Sequence, residues 1–158
     1  MRILMIVATL FLAGCTGKPS FDDPSLSTRQ LNLEEFFDGD LVAYGQFQDI
    51  FGTVRRSFVV DITGDWDGAR LRLLEDFVYE DGATVIGMAT GREQDNRFNW
   101  QYEIDLPVPA ADGSVETLRV TFDDWMWLQS EDRLLNIAYV KRFGLDIGQV
   151  VISFEKRN

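Results

Sequence analysis

The sequence has no histidine, and its only cysteine is Cys15. Without histidine, neither a Ser-His-Asp nor a Cys-His catalytic arrangement can form, and zinc sites built from histidine and cysteine are excluded. A single cysteine also excludes a disulfide bond within the chain. The chain contains neither a glycine-rich phosphate loop nor a block of basic residues. We therefore expect a protein that is not an enzyme and has no metal and no cofactor, although paired carboxylates would still permit acid–base chemistry.

Positive charge is scarce as well. The chain has 15 Lys and Arg against 26 Asp and Glu, which gives a formal net charge of −11. Such an acidic surface repels nucleic acid and anionic lipid headgroups. We expect no nucleic-acid partner, and we interpret the excess of acidic residues as a source of solubility.

The first fifteen residues contain the most informative pattern in the chain. Arg2 is followed by an apolar run, and this run ends in the motif Leu12-Ala13-Gly14-Cys15. A positive start, an apolar run too short to span a bilayer, and small residues before a cysteine are typical of a lipoprotein signal. The pattern predicts a signal peptide over residues 1–14 and a lipid on Cys15, with an ordinary signal peptide as the alternative. The residue after the cysteine is Thr16 and not an aspartate. This favours a lipid anchor in the inner leaflet of the outer membrane of the cell envelope, with the protein facing the periplasm.

The rest of the chain divides into a tether and one domain. Residues 16–30 are rich in turn-forming residues and lack periodicity, which is typical of a linker. A short helical turn is predicted over residues 31–37, with Asn32 as its cap and Phe36 and Phe37 closing one end of the domain that follows. The predicted organisation is a signal peptide over 1–14, a lipidated tether with a short helical turn over 15–40, and a β-domain over 41–158.

From Leu41 onward, apolar and polar residues alternate with a period of two, and turn signals recur at short intervals. This pattern predicts about eight strands, over residues 41–48, 53–62, 69–75 with a continuation to 79, 84–90, 97–106, 116–128, 134–141 and 147–155. Short loops favour pairing of successive strands, and a meander of this size usually closes on itself to protect its edges. The predicted fold class is all-β, an antiparallel up-and-down barrel.

Two charged residues fall on apolar strand faces. Arg56 lies among apolar residues of one predicted strand, and Glu75 lies among those of the next. With a turn centred on Asp65 and Trp66, Arg56 would lie directly across from Glu75. An isolated buried charge costs several kcal/mol, so the two residues are predicted to pair, with Asp124 as a third member.

This cluster is a candidate ligand site. Arg56, held by Glu75 and Asp124, would bind the carboxylate or phosphate of an amphipathic ligand. The apolar tail of that ligand would lie along three aromatic residues on the inner faces of neighbouring strands, Trp100, Tyr102 and Phe122. Two other interpretations remain open: a closed ion pair that only sets the strand register, and an arginine that extends into water at a barrel end.

Four stretches of the chain together resemble a known family, domain-of-unknown-function family 3833. They are LEEFFDG at 33–39, GQFQD at 45–49, LLEDFVYEDG at 73–82 and VTFDDWM at 120–126. Members are small Gram-negative lipoproteins that look lipocalin-like, so the resemblance implies a lipocalin-like barrel and a lipid anchor. The family is also associated with neighbouring proteins that modify membrane fatty acids. This association implies an acyl ligand. Similar proteins carry an additional hairpin between Gly82 and Gly87, which implies that this chain is shortened there and forms either an eight-stranded barrel or an open-sided one.

These observations support two hypotheses from different classes. The first is a periplasm-facing lipoprotein whose small barrel binds or carries a fatty-acyl chain or a similar apolar ligand. The second is a non-enzymatic assembly lipoprotein with a filled barrel, whose Trp125 and Trp127, on the polar face of their strand, contact a protein partner. A third and weaker idea is an isomerase or hydrolase that uses Glu75 and Asp124 as acid and base.

Overall fold

The computed structural model describes the backbone of residues 18, 29–82, 84–91, 98–109 and 115–157, and the side chains of residues 18, 29–82, 84 and 117–157. One short helix, α1 (Leu33–Phe37), precedes eight strands. The strands in chain order are β1 (Gly39–Asp49), β2 (Val54–Trp66), β3 (Leu71–Tyr79), β4 (Thr84–Gly91), β5 (Phe98–Pro109), β6 (Val115–Leu128), β7 (Arg133–Arg142) and β8 (Leu145–Lys156). All eight predicted strands are present, and their ends differ from the predicted ends by a few residues.

The strands form one antiparallel sheet in the order β4-β3-β2-β1-β8-β7-β6-β5. Successive strands pair with each other except β4 and β5, and β1 also pairs with β8, as in an up-and-down barrel. Within the described ranges β4 and β5 are the two edges of the sheet and do not pair with each other. The predicted antiparallel barrel is therefore confirmed, and it is open-sided within these ranges.

The alternation in the sequence places the larger apolar side chains on the concave face of the sheet. In β7, for example, Leu134, Asn136, Ala138 and Val140 are buried, whereas the residues that alternate with them are partly or fully exposed. The main core lies at the end of the barrel that contains α1. Its buried members include Leu31, Phe36, Phe37, Leu41, Ala43, Val60, Ile62, Leu71, Leu128, Leu134 and Phe154.

Helix α1 closes this end, as the sequence predicted. The ring of Phe37 contacts those of Phe36 and Phe154 edge-on, with centroids 5.2 and 5.3 Å away. Gly64 of β2 permits the approach, because a Cβ atom there would lie 1.6 Å from the carbonyl oxygen of Phe37. Asn32 occupies the N-cap position, but its side chain makes no capping hydrogen bond. Within the described ranges, no helix has the length and apolar character needed to cross a bilayer.

The two ends of the barrel therefore differ. We call the end with α1 the plug end; the β2–β3 turn (67–70) and the β6–β7 turn (129–132) also lie there. We call the opposite end the tip end, which carries the turns 50–53, 80–82 and 143–144. The strand register supports this division, because the end of β1 pairs with the start of β8 and the start of β2 pairs with the end of β3.

Candidate functional site

The predicted opposition of Arg56 and Glu75 is wrong, because the β2–β3 turn lies further along the chain than expected. Strand β2 continues to Trp66, which pairs with Leu71, so the turn occupies residues 67–70. Glu75 consequently opposes Ile62, and Phe58 opposes Tyr79. The partner of Glu75 moves from position 56 to position 62, which is an even number of residues, so the side chains keep their predicted faces while their partners change.

Arg56 pairs instead with Asp81, just beyond the end of β3. The Nη2 atom of Arg56 donates to both carboxylate oxygens of Asp81, at 3.2 and 2.9 Å. The guanidinium also lies over the ring of Tyr79, 3.6 Å from its centroid. The Nε atom of Arg56 is buried and has no hydrogen-bond partner among the described residues. One N–H donor of the guanidinium therefore remains without an acceptor in the described part of the chain.

Three aromatic rings continue from Arg56 along the inner face of β2 and β3. The ring of Phe58 lies 5.7 Å from those of Phe77 and Tyr79, and the latter two are stacked at 6.1 Å. All three side chains point inward but are only partly buried, whereas Leu41 and Leu134 near the plug end are fully buried. The rings of Phe58 and Phe77 pack against the core at the plug end, and all three rings keep some exposed surface. We call the set Phe58, Phe77 and Tyr79 the aromatic trough.

Glu75 lies on the inner face next to this trough. It opposes Ile62 of β2 and Gly87 of β4, and no ion pair or hydrogen bond of its carboxyl group is found among the described residues. Burial raises the pKa of Glu75 above its ordinary value. Desolvation likewise raises the pKa of Tyr79, although the neighbouring Arg56 acts in the opposite direction. A carboxyl group with a raised pKa therefore lies beside the trough.

The remaining predicted site residues lie on β5 and β6. Asp124 is buried on the inner face and accepts a hydrogen bond of 2.8 Å from Asn136 Nδ2. Phe122 belongs to a second core cluster around Val120 and Val140. The backbones of residues 100 and 102 pair with those of residues 124 and 122, but the side chains of Trp100 and Tyr102 lie outside the described part.

Sequence reasoning missed Asp81, Asn136 and the aromatic trough. Asn136 could have been found as a polar residue on the apolar face of its strand. Asp81 could have been found from the Asp67-Gly68 dipeptide, a turn signal that shifts the centre of the hairpin toward it. Cys15, the signal peptide and the residues of the predicted tether other than 18 and 29–40 lie outside the described residues.

The outer face of the barrel also carries aromatic side chains. Trp125 and Trp127 point outward, as predicted, and both are partly buried. Near them, Lys18 forms an ion pair with Asp123, and its Nζ atom lies 4.8 Å from the ring centroid of Tyr139. A residue of the predicted tether thus contacts the outside of β6 and β7.

Two surface depressions lie outside the barrel. One, of about 470 Å³, lies at the β2–β3 turn. The other, of about 500 Å³, lies on the outer face of the sheet beside Tyr44, Val59 and Val78. Among the described residues, no group of three or more Asp, Glu, His or Cys side chains could hold a metal ion. The aromatic trough and Arg56 therefore remain the candidate ligand site among the described residues.

Comparisons with known proteins agree with this fold. A family model described as "Protein of unknown function (DUF3833)" matches residues 9–85 and 83–156. The S-type phycobiliprotein lyase CPES from Guillardia theta is similar in structure, with a TM-score of 0.53 and 13% identity over 81% of this chain and 93% of that chain. A de novo designed fluorescence-activating β-barrel aligns with a TM-score of 0.47 and 12% identity over 80% of this chain and 99% of that chain. No curated protein matches the sequence.

Proposed function

The chain belongs to the DUF3833 family of proteins of unknown function, and from this starting point we propose that it is a lipid-anchored envelope protein whose barrel binds an amphipathic, largely apolar ligand. The proposal has no catalytic step. The lipid is attached at Cys15, and the barrel faces the periplasm from the outer membrane. The signal pattern before Cys15 supports the anchor, and the lipocalin-like fold, which in barrels of this size holds a single small ligand, supports the binding role.

The observation that carries the binding proposal is the buried Nε atom of Arg56, for which the described residues offer no acceptor. A buried donor without a partner costs about 1–3 kcal/mol. The carboxylate or phosphate of a ligand would accept this hydrogen bond, and it would share the guanidinium with Asp81. Arginine suits such sharing because its guanidinium presents several donors in one plane.

The aromatic trough supports the apolar part of the ligand. Phe58, Phe77 and Tyr79 expose ring surface on the inner face, and an acyl chain that covers them would bury that surface. Glu75, with its raised pKa, is compatible with an apolar neighbour because its neutral form carries no charge to desolvate.

Oleate binding to Arg56 variants tests this proposal. We expect Arg56→Leu to weaken oleate binding about tenfold or more, because a charge-assisted hydrogen bond is lost. Binding of oleyl alcohol, which has no carboxylate, should be unchanged. The matched control is Arg55→Leu, since Arg55 is the exposed neighbour and pairs with Asp49. Isothermal titration calorimetry measures both ligands, and equal oleate affinity in the wild type and Arg56→Leu would reject the role of Arg56.

A second function is an assembly subunit with a filled barrel, which contacts a protein through its outer face. Complete burial of Leu41 and Leu134 favours it at the plug end, and the outward position of Trp125 and Trp127 favours it on the surface. Native mass spectrometry separates the two functions. A co-purifying acyl species supports ligand binding, whereas a bare chain that also takes up no added oleate supports the assembly role.

A further inference from the structure

Four large apolar side chains are strongly exposed at the tip end. In the turn between β1 and β2, Ile50 is 60% exposed and Phe51 is 85% exposed. At the hairpin between β7 and β8, Phe143 is 89% exposed and Leu145 is 71% exposed. The two turns are neighbours, because the end of β1 pairs with the start of β8. We call these four residues the apolar tips. Exposed apolar side chains grouped in this way mark an interaction site.

The backbone conformation of Phe143 is unfavourable for a residue with a side chain, so folding alone does not account for a phenylalanine at this position. Its φ angle is +51°, and that of the following Gly144 is +78°. A left-handed conformation costs a residue with a side chain roughly 1–2 kcal/mol, and two-residue hairpin turns of this kind ordinarily carry Asn-Gly. The phenyl ring gains little burial in return, because it is 89% exposed. The guanidinium carbon of Arg142 lies 5.0 Å from the ring centroid.

The N-terminal segment leads to the same end of the barrel. Arg29 lies at the plug end, where it pairs with Glu131 at 3.7 Å. Lys18 lies nearer the tip end, against Asp123 and Tyr139 on the outer face. Lys18 therefore lies closer to the tip end than Arg29 does.

The short stretch of chain between Cys15 and Lys18 limits how far the predicted lipid can lie from the apolar tips. Cys15 precedes Lys18 by three residues, which span at most about 10 Å when extended. Tyr139, the contact of Lys18, is four residues from Phe143, or about 13 Å along the strand. In the other direction Tyr139 is six residues from Arg133, or about 20 Å from the plug end. Cys15 is therefore within reach of the tip end, which lies closer to Tyr139 than the plug end does.

We propose that the tip end rests on the bilayer that holds the lipid of Cys15, with the apolar tips inserted at its surface. This inference depends on the anchor in the proposed function. A bilayer suits the apolar tips because protruding side chains enter lipid without a complementary pocket. It also places the ion pair of Arg56 and Asp81, which lies at the tip end, close to a source of acyl ligands.

The charges around the apolar tips identify the driving force. Arg55 pairs with Asp49 at 2.6 Å, and Lys141 faces Asp146 at 3.9 Å, so both signs are present beside the turns. Burial of apolar surface, and not attraction to anionic headgroups, therefore drives insertion. The interaction should persist at high salt, which screens charge but not apolar burial.

Depth-dependent quenching on vesicles tests the inference. The full chain, with acylation verified by intact mass, is incorporated in vesicles of phosphatidylethanolamine and phosphatidylglycerol at 3:1 with a doxyl-labelled phosphatidylcholine. An NBD fluorophore is attached through Phe51→Cys, and the control carries it through Ala69→Cys, in the exposed turn at the plug end. We expect several-fold stronger quenching at position 51 than at position 69, with the same ratio in high salt.

The opposite results overturn the proposal. Equal quenching at the two positions of the acylated protein, or stronger quenching at position 69, contradicts it. A blue shift at position 51 without quenching indicates a protein contact instead. The double variant Ile50→Asp with Phe143→Asp should reduce the quenching at position 51 while it leaves oleate affinity unchanged. Failure of the anchor is seen separately in the intact mass, and failure of ligand binding is seen in the oleate titration.

Discussion

Glu75 and Arg56 are two charged residues on the inner face of this barrel. The guanidinium of Arg56 contacts Asp81 and the ring of Tyr79, and its buried Nε donor has no acceptor among the described residues. Glu75 has only apolar or backbone neighbours in the register of its strand pairs. The two residues therefore respond differently to substitution, and Glu75 provides a test that involves pH.

Glu75→Gln should stabilise the protein at neutral pH more than at acidic pH. Burial raises the folded-state pKa of Glu75, so the folded state binds this proton more tightly than the unfolded state does. The resulting stability is present below the unfolded pKa and is lost as pH rises through the folded pKa. The gain in the free energy of unfolding on substitution should therefore increase between about pH 4 and about pH 7.5.

Urea unfolding at the two pH values measures this gain. Asp76→Asn, at the next and outward-facing position, is the matched control and should show no comparable increase. A gain for Glu75→Gln that is the same at both pH values would show that the Glu75 carboxyl is not desolvated.

At the scale of elements, the β2–β3 hairpin and helix α1 determine what the barrel encloses. The side chain of Asp67 accepts hydrogen bonds from the backbone N–H groups of Arg70 and Ala69, at 2.8 and 3.0 Å. These bonds hold the pKa of Asp67 below its ordinary value and define the turn. The turn in turn sets the register that pairs Arg56 with Asp81 and leaves Glu75 inside.

Phe37→Ala should destabilise the protein by about 3–5 kcal/mol, because a buried ring is replaced by a cavity at the plug end. The substitution removes the edge-on packing of this ring against Phe36 and Phe154. Glu35→Ala in the same helix is the control, since its side chain is exposed, and it should change stability by less than about 0.5 kcal/mol. Chemical denaturation measures both, and similar values for the two variants would mean that α1 does not support the barrel.

For the whole molecule, the order of strands makes β1 and β8 the centre of the sheet and β4 and β5 its edges. The plug end holds the larger core, and the tip end combines the aromatic trough, Arg56 and the apolar tips. In the proposed function, the ligand would enter the barrel at the tip end, and the core at the plug end would maintain the fold.

Hydrogen exchange should follow the strand order. We expect the slowest amide exchange in peptides from β1 and β8, which are paired on both sides, and the fastest exchange among the strands in β4, which is an edge. Mass spectrometry after a time course of deuteration measures this gradient. Protection of β4 equal to that of β1 would indicate that the barrel closes in solution.

The sequence by itself determined the family, the number of strands and the face on which the described strand side chains lie, because a shift of the pairing by an even number of residues leaves every side chain on the same face. It also predicted that Phe36 and Phe37 of a short helix would close one end. Only the tertiary structure decided which charges meet, since the position of the β2–β3 turn exchanged Glu75 for Asp81 as the partner of Arg56. It also brought distant turns together in the apolar tips, because the pairing of β1 with β8 joins segments far apart in the chain.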